Sequence, residues 1–225
     1  GSETGGDTTG GLVGENHGAV SRCHVTSPVT GNEVVGVLAG YNYGTVSRCY
    51  ATGTATGYYY VGGLVGYNNG GTVSGCYATG LATTLMAGGS GSVGGLVGWN
   101  AGTVLDCYAT GAATGPIYVG GLAGVNSSTV LNCYATGAVT GGSGLGGLVG
   151  TSLSGATSNS YWNTNTTGQA ISADGGAGTN AAAMKQRATF AGWDYAGSWD
   201  ISEGATSPYF IWQERGPFAG SVDAG

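Results

Sequence analysis

The phrase Gly62-Gly63-Leu64-Val65-Gly66-Tyr67-Asn68-Asn69-Gly70-Gly71-Thr72-Val73-Ser74-Gly75-Cys76-Tyr77-Ala78-Thr79-Gly80 recurs in six places along the chain, the last time only in its opening residues. Its leucines are Leu12, Leu38, Leu64, Leu96, Leu122 and Leu148, spaced by 26, 26, 32, 26 and 26 residues. The cysteines Cys23, Cys49, Cys76, Cys107 and Cys133 keep the same beat. A fixed period of this size marks a repeat architecture, in which each unit buries its apolar face only by stacking on its neighbours. Few folds satisfy that demand.

Each unit reads as three short strands. The first is centred on Gly-Leu-Val-Gly and the second on Thr-Val-Ser-x-Cys-Tyr-Ala-Thr. The third lies just before the next Gly-Gly, at Tyr58–Val61 and Ile117–Val119. Pairs such as Asn69-Gly70 and Thr56-Gly57 punctuate them, and no 3.6-residue periodicity runs through the repeats. Three strands in about 26 residues make one turn of a coil whose strands pair, in parallel, with their copies about 4.8 Å away. The expected fold is therefore all-β, a parallel β-solenoid of about six ~26-residue coils over residues 10–157. Like then stacks on like. Leucine, cysteine, the following alanine, and Val46, Val73, Val104 and Val130 face inward. Asn16, Asn42, Asn68, Asn100 and Asn126 turn a corner, bonding amide to amide up the stack. The longer third spacing places a surface loop at residues 85–92.

Composition supports a folded chain. Fifty glycines in 225 residues would suit low complexity. Disordered chains, however, carry more charge and fewer aromatics than this one, which is 7% charged with 14 tyrosines. A net charge of −6 from scattered acids excludes a nucleic-acid surface. No apolar run reaches the roughly 18 residues of a membrane span.

From Ser158 the composition changes. Residues 158–215, with Trp162, Trp193, Trp199 and Trp212, read as an aromatic-rich C-terminal cap over the last coil, whose sheet edge would otherwise stay open. One short helix is expected over Thr179–Ala188 with Thr179 as its N-cap. Residues 1–9 and 216–225 are tails, the first a possible subunit contact.

The phrases Gly11-Leu12-Val13-Gly14, Gly63-Leu64-Val65-Gly66, Gly95-Leu96-Val97-Gly98, Gly121-Leu122-Ala123-Gly124 and Gly147-Leu148-Val149-Gly150 resemble the GLUG-motif repeats of large bacterial surface proteins. Coil two departs, with Val37-Leu38-Ala39-Gly40. Met184–Phe190 followed by Gly192-Trp193-Asp194 and Ser207-Pro208-Tyr209 looks like the segment that closes such arrays. The resemblance implies an extracellular adhesin-type solenoid at a bacterial or archaeal cell surface, and it supplies no catalytic residues to carry over.

Chemistry is sparse. No catalytic residue, metal or cofactor is expected. The cysteine row reads as buried small hydrophobes, because a metal site needs ligands converging on a point whereas a ladder is a line. Gly89–Gly94 and Gly142–Gly147 match G-x-G-x-x-G, but no helix or βαβ unit follows them. His17 and His24 sit in the most divergent coil. Asp194, Asp200 and Glu203 read as turn caps. Arg22 and Arg48 stack as like charges, so that position is solvated, and Gly75, Asp106 and Asn132 show that no particular side chain is needed there. One strip remains for a ligand or partner: Tyr50, Tyr77, Tyr108 and Tyr134, with Thr52, Thr79, Thr110 and Thr136 two residues on. The expected function is a non-enzymatic structural or adhesive surface element, either a module of an adhesin or a protomer of a self-assembling filament. Its expected partners are its own copies, a surface glycan or a protein receptor. The alternative is a glycan-binding module, or less readily an ice-binding one, using that Tyr/Thr face.

Overall fold

The computed structural model describes residues 3–4, 6–86, 89 and 91–214. The chain divides into two compact units, residues 1–179 and 180–225.

The first unit is a parallel β-solenoid of about six turns with three sheets. The first sheet stacks six copies of the strand seen at Val65–Asn68, from Val13–Asn16 to Val149–Ser152. The second stacks the copies of Thr72–Ser74 and Tyr77–Ala78, and the third those of Tyr60–Gly62 and Ala82–Thr84. Register is strict, with Val65 opposite Val97, Asn68 opposite Asn100, Val73 opposite Val104 and Tyr77 opposite Tyr108. Val65, Asn68, Val73, Cys76 and Ala78 are fully buried; Val73 alternates with the half-buried Thr72 and Ser74, and Cys76 and Ala78 with Tyr77. Leu38, Leu64, Leu96, Leu122 and Leu148 are fully buried, each contributing about 2 kcal/mol. Leu12, in the first coil, is 49% exposed. A terminal coil has a sister on one side only.

Five details differ from the sequence reading. The first strand begins at the valine of Gly-Leu-Val-Gly, and Gly63-Leu64 turns the corner from the strand that ends at Gly62. There a Cβ on Gly62 would lie 1.9 Å from the Val65 carbonyl oxygen, a distance no side chain tolerates. The second strand is broken before each cysteine by a left-handed residue. Arg22, Arg48, Gly75, Asp106, Asn132 and Asn159 all have φ between +44° and +60°. The position that looked unconstrained is free in side chain and fixed in backbone. The expected N-terminal tail is not a tail where described: Glu3–Thr4 pairs with Val29–Thr30, and Thr8–Gly10 with Val34–Gly36. At the other end the ladder runs past residue 157. Ala156–Asn163 pairs with the preceding coil and Gly175–Thr179 pairs onto it, so the unit closes at Thr179. The extra residues of coil three fall between the strands Ala82–Thr84 and Ser92–Gly94, leaving both in register, with Ser92 already part of the ladder.

The last rung changes size at one position. Ala51, Ala78, Ala109 and Ala135 form an inner row, and the residue next in register is Trp162. Its indole lies over Gly147 and donates through Nε1 to the Gln169 carbonyl at 2.9 Å. A bulky ring thus fills the core beneath the short strand Gly175–Thr179, where Gly178 lies opposite it.

In the second unit Phe190, Trp193, Trp199 and Phe210 pack in a chain with centroids 4.4–4.8 Å apart, and Met184 is fully buried. The expected helix over Thr179–Ala188 is instead two 3₁₀ turns, Ala183–Lys185 and Arg187–Phe190. Thr179 ends a strand, and Asn180 Oδ1 accepts from the Ala183 N–H. Gln186, at φ −117° and ψ 124°, separates the turns and lets Met184 and Phe190 both bury. Two further helical turns, Thr164–Thr167 and Ile211–Glu214, have four residues each. No helix among the described residues is long and apolar enough to cross a membrane. The expected C-terminal tail, residues 216–225, lies outside the described residues.

Candidate functional site

Two buried polar rows run up the solenoid. Asn16 Nδ2 donates to Asn42 Oδ1, Asn42 to Asn68, Asn68 to Asn100 and Asn100 to Asn126, all at 2.7–2.8 Å. Each amide also reaches backbone at its corner, as Asn68 Nδ2 does to the Thr103 carbonyl at 3.3 Å. The row has a direction, donors pointing toward the C-terminal end. There the last donor, Asn126 Nδ2, meets the carboxylate of Asp174, which also accepts from Thr157 Oγ1 at 3.4 Å. A carboxylate is the acceptor that ends such a chain without leaving a buried donor unpaired.

The cysteines do more than fill space. The Cys49 N–H donates to Cys76 Sγ at 3.3 Å and the Cys76 N–H to Cys107 Sγ at 3.4 Å, while Cys76 Sγ donates to the Ser74 carbonyl at 3.2 Å. In the last rung Ser160 Oγ replaces the sulfur, accepting from the Cys133 N–H at 3.0 Å. The left-handed residue before each cysteine leaves its N–H without a ladder partner, and the next thiol supplies one. All five are free thiols. Burial pushes Cys76 and Cys107 well above the ordinary 9.0, and a hydrogen bond donated by the Cys49 thiol to Cys76, followed by burial, does the same to Cys49. The folded state therefore keeps protons that the unfolded chain gives up. This contribution to stability is complete below pH 9.0 and is lost as pH rises above it. Iodoacetamide at pH 8 should label half-buried Cys23 within minutes and leave Cys49, Cys76, Cys107 and Cys133 unmodified until urea unfolds the chain. Peptide mass spectrometry reads the sites; fast labelling of Cys76 in the native protein would contradict the ladder.

The Tyr/Thr strip is not the open face expected. His24, Tyr50, Tyr77, Tyr108 and Tyr134 form one column, centroids 4.8–5.0 Å apart and planes within 6°. Each inner ring is sandwiched between its neighbours, so its faces are taken up by the stack. Tyr108 and Tyr134 are 5% and 2% exposed, whereas Tyr50 and Tyr77 are half-buried. Thr52, Thr79 and Thr110 are exposed and Thr136 half-buried.

A second aromatic surface lies on the outer face of the first sheet. Glu15, Tyr41, Tyr67, Trp99, Val125 and Thr151 share one register position in successive coils. Tyr41 and Tyr67 are 5.2 Å apart and tilted by 38°; Tyr67 and Trp99 are 5.9 Å apart and tilted by 44°. Tyr60 meets Tyr67 and Trp99 edge-on, at 66° and 74°. Tyr43 stacks on His17 at 4.6 Å and lies 5.6 Å from Tyr41, and Trp99 Nε1 donates to Ser127 Oγ at 3.4 Å. Sequence reasoning missed this group, although its signal was present: the residue before the ladder asparagine is aromatic in three consecutive repeats.

The remaining candidates are local. Asp194 Oδ1 accepts from the Ala196 and Gly197 N–H groups, Asp200 Oδ1 from Ile201 N–H, and Glu203 from Arg187 N–H. Asp194 and Asp200 serve their own turns, and Glu203 ties its segment to the 3₁₀ turn that begins at Arg187. His17 pairs with Glu15 at 3.2 Å on an exposed edge. Among the described residues no three of His, Cys, Asp and Glu converge as metal ligands would.

A family model of the GLUG motif matches residues 31–56, 57–84, 89–114 and 115–140, so four tandem GLUG repeats occupy this stretch. No curated protein matches the chain. Among solved structures, the chain superposes on one described as "a putative immunoglobulin A1 protease from Bacteroides ovatus", with a TM-score of 0.66 and 19% identity over 86% of this chain and 69% of that one. The likeness is one of fold.

Proposed function

We propose that this GLUG-repeat β-solenoid is a non-enzymatic structural and adhesive element of an extracellular surface. The observation that carries the reading is the unbroken in-register stack, which turns every side-chain position into a row along the axis. Such a molecule presents repeated contacts to an extended partner and concentrates no chemistry at one point. Cys76 and Cys107 are fully buried, which pushes their thiols well above the ordinary range, while His17 pairs with Glu15 and His24 stacks on Tyr50. Leu12, 49% exposed in the first coil, would be covered equally by a coil of another copy in a filament or by more of the same adhesin chain.

An antibody raised against residues 10–157 should label intact cells of the source organism. Deleting the repeats should reduce cell attachment to solid surfaces, and electron microscopy of the purified chain should show whether it polymerises. Labelling only after permeabilisation would overturn the surface assignment. Cleavage of immunoglobulin A1 or casein by the purified chain would overturn the non-enzymatic one.

A further inference from the structure

We propose that the outer face of the first sheet, at Tyr41, Tyr67 and Trp99 with Tyr43 and Tyr60 beside them, is a binding platform for a neutral polysaccharide chain lying along the solenoid axis. This goes beyond the adhesive reading, because it assigns a ligand class to a particular face wherever the protein works.

The fold does not require aromatic residues there. Glu15, Val125 and Thr151 occupy the same register position in the other coils and keep the same ladder. Three consecutive aromatic side chains, joined by Tyr60 and Tyr43 from neighbouring positions, are thus an addition to the repeat. Unlike the parallel Tyr50–Tyr134 column, the Tyr41, Tyr67 and Trp99 rings are splayed by 38–44°; they are half-buried, and Tyr43 beside them is 40% exposed. Splayed and half-buried, these rings offer their exposed parts to the C–H face of a sugar ring. Tyr60 braces Tyr67 and Trp99 edge-on, so the platform is ordered before any ligand arrives.

The polar groups define the ligand further. Among the described residues, the hydroxyls of Tyr41, Tyr60 and Tyr67 make no hydrogen bond to protein. Burial holds the Tyr41 and Tyr67 phenols above their ordinary range, so they stay donors. Glu15 lies in the row itself, and Glu33 is close enough to Tyr41 to raise it as well. The first-sheet strands carry no lysine or arginine. Carboxylates accept from sugar hydroxyls and repel an anionic chain. Rings repeated at each coil suit a ligand that itself repeats. A polymer of pyranose units can engage Tyr41, Tyr67 and Trp99 in turn, and each added contact raises avidity.

Isothermal titration of the full chain with cello-, laminari-, manno- and chitohexaose, and with anionic polygalacturonate, tests the assignment. At least one neutral hexaose should bind saturably and polygalacturonate should not. Trp99→Ala and Tyr67→Ala should each weaken that binding by about tenfold or more. Trp99→Phe, which keeps a flat ring, should stay within about threefold, and Thr79→Ala, on the Tyr50 column's face, should change nothing. Circular dichroism checks the fold of each variant, and Trp99→Phe tests the site even where Trp99→Ala fails to fold: its loss of the ligand-induced tryptophan fluorescence change places the ligand on this ring. Binding to none of the four neutral sugars, equal binding to polygalacturonate, or full affinity in a folded Trp99→Ala would overturn the proposal. None of these outcomes depends on where the protein resides in the cell, so the surface assignment stands or falls separately.

Discussion

Gly94→Ala should destabilise the solenoid by about 3 kcal/mol or more, a fall in Tm on the order of 10 °C. A Cβ at this position would lie 1.9 Å from the Val97 carbonyl oxygen and 2.8 Å from both Gly124 N and Leu122 O, all backbone atoms. No rotamer relieves such a contact. The corner must open, and opening it breaks the register of two neighbouring coils. Gly10, Gly36, Gly62, Gly120 and Gly146 occupy the same corner, each with a carbonyl at 1.8–2.0 Å. Gly70 is the control. Its φ of +74° makes alanine strained, but nothing lies within 4 Å, so Gly70→Ala should cost only about 1 kcal/mol. Thermal melts of the two variants beside the parent separate crowding from conformational strain. Equal losses would mean that the corner relaxes far more easily than its geometry implies.

Trp162→Ala should cost about 4 kcal/mol by opening the C-terminal end of the first unit's core. The ring is 5% exposed, covers Gly147 and belongs to the same buried cluster as Leu148 and Val149. The alanines that precede it in the row each rest on a sister coil; Trp162 fills the space where a full coil would continue. Its loss should act locally. Hydrogen exchange should accelerate first over residues 148–163 and leave the central coils protected. Trp162→Phe should restore most of the stability, losing mainly the Nε1 bond to Gln169, about 1 kcal/mol. Uniform loss of protection along the whole unit would show that the solenoid unfolds as one block and that its end is not separately held.

The repeat phrase carried more of the fold than of any site. Leu64, Val73, Cys76 and Ala78 were legible as inward residues because their copies return at a fixed interval, and a parallel stack must set like on like. The asparagine row was legible for the same reason, though its polarity and its end at Asp174 were not, since Asp174 lies outside the repeat. The left-handed corner was hidden because Arg48, Gly75, Asp106 and Asn132 share a backbone conformation and no side-chain property. The short helix was misplaced because a run of helix-forming residues yielded to the burial of Met184 and Phe190.

The partner face was the less legible part. Tyr77 and Trp99 are both aromatic residues in strict register, and nothing in their spacing separates them. Periodicity fixes which residues lie above and below one another along the axis, and the sequence alone therefore determined the coil, its core rows and their order. Ring tilt and exposure depend on packing across the faces of each coil, which a one-dimensional period does not encode. Only the tertiary structure decided that the Tyr50–Tyr134 column closes upon itself while the Tyr41–Trp99 row stays open.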